Sequence, residues 1–64
     1  MAAKKYYVVT SETGLNHRKE PSLGAEILGV FAWNDKIEVD SSVEAPEGWL
    51  AVKDGGYIMK EFVK

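Results

Sequence analysis

The one side chain that titrates near neutral pH in its unperturbed form is His17, and it stands alone. The chain has no cysteine and no second histidine, so no metal-ligand set appears at any recognisable spacing. No serine or threonine sits in a local context that would pair a nucleophile with a base. Glu12, Glu20 and Glu26 flank the same segment as His17, but carboxylates without a pocket around them are a weak basis for acid–base catalysis. His17 therefore reads as a partly buried structural residue. The residue types suit recognition rather than bond-making: no enzyme, cofactor or metal is expected.

Recognition has two sets of candidates. Trp33 lies beside a turn, Trp49 at the start of a strand, and Tyr57 just after a hairpin, with Tyr7 on the first strand. Aromatic side chains of this kind offer a large apolar body, and in tyrosine and tryptophan a polar tip as well. Together they can line a groove of the sort that holds extended peptides. Asp40, Glu44 and Glu47 lie on either side of a proline loop near the Trp49 end, and form an acidic rim that would favour basic partners.

The elements that position these residues are short strands. Residues 5–10, Lys-Tyr-Tyr-Val-Val-Thr, are dense in aromatic and β-branched types and read as the first. Ser11 to Gly14 is a turn. Leu15 to Ser22 reads as a locally extended loop, with Leu15 and His17 facing one way and Asn16 and Arg18 the other, until Pro21 stops any strand pairing. The guanidinium of Arg18, with its five donors, is expected to brace this loop through backbone carbonyls or a nearby acid.

Residues 26–31 form the second strand, where Gly29 suggests a bend or a close backbone approach. A turn at Ala32 to Asp35 offers Asn34 for the left-handed conformation. Residues 36–40 alternate cleanly and form the third strand, with Ile37 and Val39 inward. Residues 48–53 and 56–59 form the fourth and fifth, joined at Asp54-Gly55, a pair suited to a type I′ turn. Residues 60–63 read as one short helical turn that drops Phe62 into the core.

The expected fold is all-β: a small five-stranded barrel, partly open, with one short helical turn near the C-terminus. It occupies residues 1–64 as a single domain with its core in 6–63. Leu15, Leu28, Val30, Ile37, Val39, Val52, Ile58 and Phe62 are expected to be mostly buried. A chain of 64 residues buries only about 60% of its unfolded surface, so packing must hold it without disulfide help. A barrel this small leaves little room for the pocket of about 300 Å³ or more typical of small-molecule sites.

Ten acidic against eight basic residues give a net charge of −2, which disfavours nucleic acid as a partner. Lys4 and Lys5, an adjacent basic pair near the start of the chain, read as a solvated edge. No apolar run reaches the roughly 20 residues that span a bilayer. The opening residues lack a signal-peptide core, so the expected location is cytoplasmic as written, or extracytoplasmic if the domain is excised from an exported protein.

The ordered set L-N-x-R-x-x-P-S at Leu15 to Ser22, Gly48-Trp49, and Gly56-Tyr57-Ile58 resembles the bacterial SH3-like (SH3b) domain family. The resemblance covers Val8 to Val63. It implies a small barrel in which Leu15 anchors the core, Asn16 bonds backbone, and the other motif residues mostly maintain the fold. Here His17 replaces the family's usual aliphatic residue, Lys19-Glu20 replace Ser-Gly, and Trp33-Asn34 occupy a turn normally rich in Lys and Gly.

The expected function is that of a non-catalytic, monomeric binding module that recognises a protein or peptide through its aromatic and acidic surface. The alternatives are a stand-alone intracellular inhibitor or adaptor, for example phage-encoded, docking on one host protein, and a module that targets cell-wall (peptidoglycan) peptide.

Overall fold

The structure is a computed structural model and describes residues 5–64; Lys4 of the basic pair lies outside them. Nearly all of its regular structure is strand. In chain order these are β1 (Lys5–Val8), β2 (Leu15–Arg18), β3 (Ile27–Phe31), β4 (Lys36–Val39), β5 (Trp49–Ala51) and β6 (Tyr57–Met59). A single 3₁₀ turn, Lys60–Phe62, follows β6.

All pairings are antiparallel. β1 pairs with β4, and a four-stranded sheet runs in the order β3-β2-β6-β5. Isolated bridges join the two sheets and the C-terminus: Val39 pairs with Val52, and Val9 with Val63. Backbone bonds from Asp40 N to Ala51 O and from Lys53 N to Glu38 O lay β4 against β5. Among the described residues the array does not close, because β3 is paired only with β2.

The sixth strand is the segment Leu15–Arg18, which the sequence presents as a loop. Its four residues pair with β3 on one side and Arg18 pairs with Tyr57 of β6 on the other, so tertiary partners make a strand of a stretch too short to declare itself. The register slips between His17 and Arg18, a bulge just before the chain leaves the sheet toward Pro21.

The core consists of Val9, Leu15, Ile37, Val52, Ile58 and Val63, with Tyr7, Phe31 and Leu50 packed around it. Ile37 and Val39 are buried while Lys36 is exposed, as alternation requires. Three expected core residues are not core. Leu28 is 49% exposed and Val30 65%: β3 turns Phe31 toward the core, and among the described residues nothing buries Leu28 and Val30. Phe62 is 37% exposed; the 3₁₀ turn carries Val63, not Phe62, to the bridge with Val9.

One turn expectation holds and one changes. Asn34 is left-handed (φ 73°), as expected. A type I′ turn requires positive φ at both central residues, yet in the β5–β6 connection Gly55 (108°) and Gly56 (78°) are positive and Asp54 is not. Gly55 N closes the turn onto Val52 O at 2.9 Å. At Gly29 an added Cβ would meet nothing within 4 Å, so of the bend and the close approach it suggested, the bend is what is found: the register slips beside it, with Leu28 the extra residue on β3.

Candidate functional site

A groove of about 190 Å³ lies where β1, β4, β5 and the loop after β4 converge. Tyr7 comes from β1, Trp49 and Leu50 from β5, Asp40 from the end of β4, and Val43 and Ala45 from the loop. Local rules set each position. β1 places Tyr7 opposite Ile37, and β5 places Trp49 opposite Met59. Gly48, with φ at 90°, lets the chain turn sharply into β5 just before Trp49.

Asp40 and Lys5 are the charged groups of the groove. Asp40 Oδ1 accepts hydrogen bonds from the Ser42 hydroxyl and, at 3.0 Å, from the Ser42 backbone N–H. These bonds, the hydroxyl foremost, lower the Asp40 pKa below the ordinary 3.8, aided weakly by the Lys53 charge and opposed by slight desolvation. The carboxylate is therefore ionised and held in place. Lys5 Nζ sits 5.7 Å from the Tyr7 ring centroid.

Of the sequence candidates, Tyr7, Trp49 and Asp40 come together here. Glu44 and Glu47 are exposed on the same loop, bordering the groove without lining it. Tyr57 stands opposite Ala51 in register, so its side chain shares a face of β5–β6 with Trp49, two residues along the strand. Trp33 is elsewhere: it is 56% exposed in the turn between β3 and β4 and does not line the groove.

Sequence reasoning missed Lys5, Val43, Ala45 and Leu50. Val43 was the legible one, as a lone β-branched residue inside an otherwise polar loop. A larger surface cleft, of about 460 Å³, was also missed. It lies between the Ser11–Gly14 turn, Leu23, Met59 and Phe62, with Arg18 along one side. Its volume comes from space between surface elements, not from the inside of the barrel.

Arg18 braces its loop as expected, donating from one terminal nitrogen to Leu23 O at 2.8 Å and Ala25 O at 3.2 Å. Asn16 is exposed and its amide makes no side-chain hydrogen bond among the described residues. His17 is half-buried, stacks at a tilt on Phe31 with centroids 5.0 Å apart, and bonds Gly55 O. Among the described residues no group of three His, Cys, Asp or Glu side chains could hold a metal ion, and no helix is long and apolar enough to cross a membrane. No protein-family model, curated protein or solved structure matches the chain.

Proposed function

We propose that this chain is a non-catalytic binding module of SH3-like type, which holds a basic, extended peptide segment of another protein in the Tyr7–Trp49–Asp40 groove. The observation that carries the reading is that convergence: two aromatic rings and a fixed, ionised carboxylate from three separate elements line one shallow depression. Tyr7 and Trp49 supply apolar contact and Asp40 a charge partner, while Glu44 and Glu47 extend the negative field over the approach. The groove is too small and open to enclose a drug-sized ligand, and suits one or two side chains of a longer segment. The resemblance of Leu15 to Ser22 to the SH3b motif supports the same architecture and the same kind of role.

Tryptophan fluorescence tests this directly. Replacing Trp33 by Phe leaves Trp49 as the one emitter, since the chain has two tryptophans. Titration with Lys/Arg-bearing unstructured peptides should shift its emission, and added salt should weaken the response. Trp49→Ala, with folding verified by circular dichroism, should cost more than about 1 kcal/mol of affinity measured by calorimetry. An equal response to acidic peptides, or none to basic ones, would refute the assignment.

A further inference from the structure

The cleft beside β2 combines apolar walls with a few placed polar groups. Asn16 and Arg18 of β2 and Met59 of β6 share the sheet face opposite buried Leu15 and Ile58, and line the cleft together. Leu23 is 67% exposed and Phe62 37%, so apolar surface from two connecting segments faces the same space. Among the described residues Arg18 is the one charged side chain that lines it. The volume of about 460 Å³ lies within the range of sites that hold small ligand groups, and such sites have this kind of lining.

Arg18 is held ready for an anion. Its Nη1 donates to Leu23 O and Ala25 O, which fixes the guanidinium and uses two of its five donors. Among the described residues Nε and Nη2 make no hydrogen bond, and no acid lies within ion-pair distance of Arg18. No polar side-chain atom of a half-buried residue is both enclosed and without a partner, so these two nitrogens reach solvent. The Nε–Nη2 edge is a fork that binds a carboxylate through two parallel hydrogen bonds. Asn16 stands two residues earlier on the same face, roughly 7 Å away along the strand. Its exposed amide has no side-chain hydrogen bond among the described residues, and can both donate to and accept from a peptide group.

We propose that this cleft captures the C-terminal residue of another protein. The terminal carboxylate lies on the Nε–Nη2 edge of Arg18, an apolar last side chain packs against Leu23, Met59 and Phe62, and the preceding peptide group pairs with Asn16. Charge selects this occupant. Glu12 and Glu61 are exposed next to lining residues in the chain, so a polyanion is repelled while a single carboxylate on an apolar body is not. The cleft shares no residue with the Tyr7–Trp49–Asp40 groove, so a basic peptide amidated at its C-terminus reports on the groove alone.

NMR titration of the wild type with N-acetylglycyl-leucine tests the proposal. The Arg18 Nε–H and the backbone amides of Gly14, Asn16, Leu23 and Phe62 should shift together and saturate. The C-terminal amide of that dipeptide, N-acetylglycyl-glycine and isocaproate should each bind at least about tenfold more weakly. They lack, in turn, the charge, the apolar side chain and the peptide group. Leu23→Glu sets an anion on an exposed wall and should weaken binding of the free acid by a similar factor, with folding checked by circular dichroism. If that variant does not fold, the ligand series on the wild type decides. No saturable shift, shifts confined to the groove residues, an amide or isocaproate that binds as well as the acid, or a folded Leu23→Glu of unchanged affinity would each overturn it.

Discussion

His17 donates through Nε2 to the carbonyl oxygen of Gly55 at 2.6 Å, tying β2 to the β5–β6 turn across 38 residues of sequence. A carbonyl only accepts, so the ring carries its proton on Nε2. The contact is possible because the next residue is glycine. A Cβ on Gly56 would lie 2.5 Å from His17 Nε2 and 2.7 Å from the Arg18 carbonyl oxygen, at a φ of +78° that disfavours any side chain.

Gly56→Ala should therefore destabilise the fold by about 1–3 kcal/mol. At this chain length each kcal/mol corresponds to about 4–8 °C in Tm, measurable by thermal melting. His17→Ala should cost about 1 kcal/mol through the lost hydrogen bond. Because the Arg18 carbonyl stays in the way, Gly56→Ala should remain destabilising in the His17→Ala background. If it became neutral there, the clash with the histidine would be the whole effect.

Arg18→Ala should lower stability by about 1–3 kcal/mol in urea unfolding, since two backbone carbonyls lose a charged donor. Peptide affinity should be unchanged, because Arg18 is not among the groove residues. Lysine should restore only part of the loss, as an ammonium lacks the planar fork. A variant of normal stability with no peptide binding would place Arg18 in the recognition surface.

The lowered pKa of Asp40 has a definite sign in stability. A carboxyl whose folded value lies below its unfolded one stabilises above the unfolded value and loses that contribution as pH falls through the folded one. Acidification below the ordinary 3.8 should thus remove the Asp40–Ser42 contribution. Ser42→Ala should flatten that part of the urea-midpoint-against-pH curve. An identical curve for the wild type and the Ser42 variant would show that the hydrogen bond is not formed in solution.

Ile58 and Val30 separate the observed core from the core expected by hydrophobicity alone. Ile58 is fully buried, so Ile58→Ala should cost about 2–5 kcal/mol, comparable with the whole stability of so small a domain. Val30→Ala, at a side chain 65% exposed, should cost less than about 1 kcal/mol. Comparable losses at both positions in chemical denaturation would contradict the observed burial.

What the sequence determined by itself was local. Ile37 and Val39 alternate with charged residues, and that period of two could only be a strand with one face inward. Asn34 stood in a turn where a short polar side chain tolerates positive φ, and it adopts it. The turns, the all-β class and the inward Leu15 were legible for the same reason: each depends on neighbours within a few residues.

Tertiary structure decided the rest. Whether Leu15–Arg18 is loop or strand depends on β3 and β6 arriving on its two sides, which no local pattern encodes. Leu28 and Val30 look like core because they are aliphatic, but burial is a property of what covers each side chain, and among the described residues β3 turns Phe31, not these two, onto the core. The candidate site shows the same division. Tyr7, Asp40 and Trp49 were recognisable as types, yet only the pairing of β1 with β4 and the packing of β4 on β5 gathers them, while Trp33, similar in sequence context, is left on another surface. Side-chain chemistry is carried by single residues, whereas proximity across the chain is set by strand order, and strand order is fixed by the sum of long-range contacts.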